Sequence, residues 1–230
     1  MNRHTGHVTD AWRGEVRLAF DRVQLDGTLE IPPHAAGLVL FAHGSGSSRH
    51  SPRNRHVAQA LQQGGLATLL FDLLTRNEEQ ADAYSGHLRF DIDFLAARLR
   101  LATQWAAQND QTASLRIGYF GASTGAAAAL IAATDPSFDI GAVVSRGGRP
   151  DLAGDALSRV RAPTLLIVGG ADDVVIELNQ QAFDQLTGKK HLEIIPGAGH
   201  LFEEPGALDT VAQLATRWFA EHLPAQGWHP

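Results

Sequence analysis

The stretch IGYFGASTGAAAALIAA, residues 117–133, changes character at its middle. Its first half is apolar and β-prone, and its second half is nearly pure alanine, the strongest helix former. Between them stands Gly121-Ala122-Ser123-Thr124-Gly125. A strand that passes into a helix over so few residues brings backbone close to Cβ positions, so small residues must flank the turn. A serine at its tip is pushed into a strained conformation that exposes Oγ. The alanines let the helix lie close on a sheet and aim its positive end at the serine. The segment therefore has the strand–turn–helix setting that the G-x-S-x-G pattern requires, and Ser123 is the candidate nucleophile.

Outward from this turn, short apolar runs alternate with helical patterns. EVRLAF (15–20) and VQLDGTLEI (23–31) have no helix between them and predict an antiparallel pair. LVLFA (38–42), ATLLF (67–71), LRIGYF (115–120), IGAVVS (140–145), TLLIVG (164–169) and HLEII (191–195) predict strands buried on both faces. Helices are expected over 52–63, 87–108, 124–134, 176–186 and 208–222, with Pro52 at the first position of one and Gly64-Gly65 as its stop. In the long helix, Ile92, Leu95, Leu99, Ala102 and Trp105 form one stripe. The alternation predicts a single α/β domain over 1–230, with 1–13 a loose N-terminal segment. Its sheet would be doubly wound and mostly parallel, with about eight strands and helices on both faces. Between the strands near 145 and 164 there is room only for a loop and a short helix, so no cap domain is expected.

In such sheets ligands bind beyond the carboxyl ends of the strands. A serine hydroxyl needs a base, and His200 in PGAGHLFEEPG follows the last predicted strand. Asp172 in VGGADDVV follows the strand before it and can orient that base. Asp173 competes for this role or caps the following helix, and Asp151 is a third candidate. The chain order is serine, aspartate, histidine. The oxyanion donors expected are the N–H of Thr124 and one from HGSGSS (43–48), Ser45 first and Gly46 next. His43 is expected to pack under that loop. The other histidines, His4, His7 and His229 among them, read as solvated or locally bonded. Arg146 and Arg149 in SRGGRPD come towards the strand ends, where either could grip an anionic group of a substrate. Their plainer roles are pairing with Asp151 or Asp155, or facing water.

Taken together, FAHGSGSS, GASTG, GGADD and GAGHLFEEPG resemble the α/β-hydrolase superfamily, and most of all its dienelactone-hydrolase-like branch. The likeness runs from about Glu15 to Leu223. The family pattern G-x-x-D-x-x-V falls on Gly169, Asp172 and Val175, which favours Asp172 as the acid. The namesake enzymes of that branch use a cysteine nucleophile, whereas this chain has Ser123 and no cysteine. The resemblance therefore implies a serine esterase acting on a small ester through an acyl-enzyme. A thioesterase, a small peptidase and a catalytically silent scaffold are the alternatives.

Composition narrows the choice further. The absence of cysteine excludes disulfides, thiolate metal sites and cysteine nucleophiles. A formal net charge of −6 with no basic block argues against nucleic acid or membrane as partner. The start has no apolar signal-type core, which leads to the expectation of a cytoplasmic protein. HGSGSS lacks the Lys-Ser/Thr ending of a phosphate loop, and GYFGASTG lacks dinucleotide-loop spacing. No metal or other cofactor is required by the expected chemistry, and oligomeric state is not legible.

Overall fold

The computed structural model of the protein describes residues 11–224, so His4, His7, His229 and most of the expected loose segment lie outside the described residues. Eight strands form one sheet: β1 (Trp12–Phe20), β2 (Val23–Ile31), β3 (Leu38–Ala42), β4 (Ala67–Phe71), β5 (Ile117–Ala122), β6 (Ile140–Arg146), β7 (Thr164–Gly169) and β8 (Lys190–Ile195). Their order is β1-β2-β4-β3-β5-β6-β7-β8. β1 pairs antiparallel with β2 through the tight turn at Asp21-Arg22, and β2 pairs antiparallel with β4. All remaining pairings are parallel. The first strand starts at Trp12, so residues 12 and 13 belong to the sheet.

Among the described residues the α-helices are α1 (Pro52–Gln63), α2 (Arg76–Ser85), α3 (Ile92–Gln108), α4 (Thr124–Ala132), α5 (Asp173–Gln185) and α6 (Ala207–His222). One apolar layer joins α1 and α6 to a sheet face through Val57, Leu61, Phe120, Val211 and Phe219. The other joins α3, α4 and α5 to the opposite face through Leu40, Leu99, Tyr119, Ala128, Leu166 and Ala182. Every residue of β3 to β7 is buried, which is why those runs are largely apolar, Thr68, Ser145, Arg146 and Thr164 being the exceptions. β8 departs from that expectation: it is the edge strand, half covered, and Ile194 is 42% exposed. The β6–β7 connection holds a 3₁₀ stretch, Pro150–Arg159, kinked at Gly154, and no cap domain.

α2 was not expected. RNEEQADAYS has no apolar stripe, and only Asp82 is buried, so hydrophobic periodicity is silent there. Its start is nonetheless written in the chain: Thr75 and Glu78 form a capping box. The following long helix begins at Ile92 under an Asp91 cap, with a short 3₁₀ turn at Leu88–Phe90 before it. Among the described residues no helix is long and apolar enough to cross a membrane.

The chain winds from β3 to β4 in one direction and from β5 to β8 in the other. The reversal leaves a crevice at the carboxyl ends of β3 and β5, the switch point where ligands of such sheets bind.

Candidate active site

β5 runs without a spacer into Ser123, and α4 begins at the next residue. Ser123 has φ 51° and ψ −124°, a left-handed conformation that costs a non-glycine residue about 1–3 kcal/mol. The surroundings hold it there. Its carbonyl accepts N–H bonds from Ala126 and from Arg149, both at 3.1 Å, so the β6–β7 connection is pinned onto the turn. The flanking glycines are sterically required. A Cβ on Gly121 would lie 2.5 Å from Ala126 Cα, and one on Gly125 would lie 2.6 Å from the His43 carbonyl oxygen. Apart from Ile131, every residue of α4 is buried, and alanine is what allows that close approach to the sheet.

Asp172 and His200 come from neighbouring loops tied backbone to backbone. Gly170 N–H donates to Ile195 C=O at 2.8 Å and Ala171 N–H to Ala198 C=O at 2.9 Å. Asp172 stands at the cap position of α5, yet its side chain does not cap the helix. Instead Oδ2 lies 2.7 Å from His200 Nδ1. A carboxylate there keeps the proton on Nδ1 and leaves Nε2 able to accept one. Asp173, one residue on, is exposed in the first turn of α5. α5 thus starts three residues before the expected position. His200 and Ser123 line one cleft of about 160 Å³, together with Gly44, Ser45, Ser47 and Ser51.

The 43–48 loop forms a wall of this cleft. His43 sits beneath it, as expected, accepting the Leu73 N–H through Nε2 at 3.1 Å and meeting the Gly44 carbonyl through Nδ1 at 3.0 Å. Burial pulls its pKa down, and the Gly44 bond and the charges of Asp72 and Glu79 oppose that only partly. Asp72 itself is bound by Arg49. Of the two expected oxyanion donors, Ser45 N–H is engaged, donating to Thr124 Oγ1 at 3.0 Å. It can serve an oxyanion only when that hydroxyl turns away. Across the loop lies a second cavity of about 270 Å³, bordered by His43, Asp72, Leu73 and Leu95.

Arg146 and Arg149 part company. Arg149 grips Asp151 in bidentate fashion, at 2.9 and 2.7 Å, and is absent from the lining of the cleft. Of the roles expected for it, pairing with Asp151 is the one observed, since an acid two residues away in the same turn holds its fork. Arg146, at the end of β6 and in register with Ala122, does line the cleft. It is 8% exposed, and its Nε and Nη1 have no partner among the described residues. Burial, with the charge of Arg53 adding, lowers its pKa to about 10, which still leaves a cation at neutral pH. Arg53 and Asn54, in the first turn of α1, line the same cleft. Sequence reasoning passed over both, although they follow directly on the glycine loop and the Ser51-Pro52 helix start. Asp151 serves Arg149 and takes no part in the cleft. Among the described residues no cluster of three or more acidic or histidine side chains could hold a metal ion.

The sequence pattern of the dienelactone hydrolase family matches residues 25–223. A dienelactone hydrolase from Anabaena variabilis superposes with a TM-score of 0.91 at 59% identity, over 93% of this chain and 99% of that one. A Xanthomonas campestris protein described as an α/β serine hydrolase without lid superposes with a TM-score of 0.71 at 22% identity, over 93% of this chain and 96% of that one, and speaks for the fold alone. The Mycobacterium tuberculosis protein named "Putative phosphoribosyl transferase Rv0571c" is 58% identical over 213 residues, 93% of this chain and 47% of that protein. The chain thus spans about half the length of that curated relative.

Proposed function

Since the chain belongs to the dienelactone hydrolase family and carries an α/β-hydrolase fold, we propose that it is a serine hydrolase that cleaves a small ester through an acyl-enzyme. Ser123 Oγ attacks the carbonyl while His200 Nε2 takes its proton. The tetrahedral oxyanion is stabilised by the Thr124 N–H at the head of α4, joined by Ser45 N–H once the Thr124 hydroxyl rotates. His200 returns the proton to the leaving alcohol, and water then repeats the sequence to free the acid. Asp172 holds the His200 tautomer and stabilises the imidazolium.

The observation that carries this reading is the 2.7 Å bond between Asp172 Oδ2 and His200 Nδ1 in the loops bordering the cleft of Ser123. A hydrogen bond between nucleophile and base is often long before substrate arrives, so a shared cleft is the relevant geometry. Its volume of about 160 Å³ is below the common range for drug-sized ligands and favours a small substrate. The name of the M. tuberculosis protein is not carried over, because this chain matches only about half of it.

The test is labelling by a neutral fluorophosphonate, followed by a screen of esters, thioesters and amides of graded length. Ser123 is expected to be the labelled residue and esters the fastest substrates. A chain that resists the probe is a silent scaffold, and faster thioester or amide cleavage moves the substrate class.

A further inference from the structure

The chemistry at Ser123 accounts for the serine, the histidine and the aspartate, but not for Arg146. A guanidinium withdrawn from water without a carboxylate is a cost to folding, and buried arginines ordinarily occur paired. Arg146 keeps two unpartnered nitrogens at 8% exposure. Its strand neighbour, Ala122, precedes Ser123 directly. Around it the lining carries positive charge and donors, although the buried Asn54 Oδ1, an acceptor, is also unpartnered among the described residues. Arg53 adds a second guanidinium whose Nε is unpartnered among the described residues, where its one acidic contact is the exposed Glu203 at 3.4 Å. Asn54 and the amino end of α1, a 12-residue helix, face the same space, with Ser51 Oγ already capping Asn54 N–H. Helix amino ends and forked guanidinium donors both favour oxyanions. No aspartate or glutamate is among the residues that line this cleft.

We propose that Arg146, with Arg53 and the amino end of α1, forms a subsite for a dianionic group, so that the substrate carries a phosphate monoester close to its scissile carbonyl. Two guanidiniums with no lining carboxylate match two negative charges better than one. This deepens the hydrolase reading and rests on Ser123 as nucleophile. The dianion takes no part in bond making: it fixes the substrate so that the carbonyl meets Ser123 Oγ.

The test uses three esters alike except for one end group, which is uncharged, a carboxylate or a phosphate monoester. kcat/KM is measured in the wild type and in Arg146→Met, which keeps a long apolar stem and removes the buried charge. The phosphate ester is expected to be preferred, and its advantage over the uncharged ester to fall by about 10–150-fold in the variant. Equal losses for all three, or preference for the carboxylate, overturn the proposal. A second measurement does not depend on turnover: inorganic phosphate is titrated calorimetrically into both proteins. Binding to the wild type and its loss in Arg146→Met are expected, and a wild type that ignores phosphate overturns the subsite. Phosphate binding without cleavage of any ester would instead sink the hydrolase reading and leave the subsite standing. The melting temperature of Arg146→Met should hold or rise. If that variant fails to fold, Arg53→Met replaces it in both measurements and should lose part of the same preference; unchanged preference and unchanged phosphate binding there overturn the proposal.

Discussion

From Leu38 to Phe41, and from Leu165 to Val168, every side chain is apolar and out of water. Some polar groups in that layer are matched, as where Tyr119 O–H meets Thr103 Oγ1 at 2.7 Å, while Ser145 Oγ and Asn179 Oδ1, equally buried, have no partner among the described residues. At the carboxyl ends of the sheet's strands and in the loops that follow them the rules reverse. Ser123 and Phe202 have φ of 51° and 55°, Arg146 lacks a partner, and Asp172 stands at a helix cap without capping. Departures from local rules that gather about one cleft point to the place where the fold is shaped for chemistry. The contrast implies a separation: edge substitutions should remove activity and spare stability, while interior substitutions should do the opposite.

The sharpest break is Ser123→Ala. If Ser123 is the nucleophile, kcat should fall by about 10⁶-fold, while the melting temperature stays within a degree or so of wild type. A variant with a tenth of the activity would remove Ser123 from its proposed role. Next in size is Asp172→Asn, expected to lower kcat by about 10³–10⁴-fold because the amide favours the wrong His200 tautomer. Asp173→Asn, exposed one residue on, should change it little, and the reverse ranking would show that the neighbouring acid orients His200. The interior counterpart is Leu166→Ala, fully buried in β7. It should lower unfolding free energy by about 2–5 kcal/mol in a denaturant titration. Turnover per folded molecule should be retained, and an equal loss of turnover would mean that interior and edge are not separable.

How much of this was legible follows the same line. The central strands announce themselves because burial on both faces demands unbroken apolar runs, and G-x-S-x-G announces its turn because sterics leave few residue choices. β8 was misread as fully covered because edge position is a property of the sheet and not of HLEII. α2 escaped because a surface helix held by a capping box and polar contacts has no stripe to read. Arg146 and Arg149 looked equivalent in SRGGRPD. Only the direction of each side chain, set by the end of β6 and the turn after it, gave one an acid and the other a cleft. Arg53 was invisible for a similar reason: its place beside Arg146 arises from packing between residues far apart in the chain.

His43 lies on the border between the two regions and gives the smallest but most discriminating effect. It is polar, 8% exposed and fully engaged, joining the glycine loop to the end of β4 through Leu73 N–H and the Gly44 carbonyl. Desolvation makes its charged form unfavourable in the folded state, so its folded pKa lies below the ordinary value of 6.5. The unfolded chain therefore takes up a proton at a pH where the folded chain still refuses it. Between 6.5 and the lower folded value the unfolded state binds more protons, and stability falls as pH falls. Above that window His43 is neutral in both states and contributes no slope. Melting temperatures should then be level in this respect above neutrality and decline through mildly acid pH. His43→Gln offers an amide oxygen to Leu73 N–H and an amide N–H to Gly44 without titrating, so the decline should be shallower in that variant. Parallel curves for the two proteins would assign the acid sensitivity to carboxylates elsewhere. Loss of ester turnover in His43→Gln at neutral pH, with stability kept, would place His43 on the chemical side of the border, as the residue that sets the geometry of the 43–48 loop.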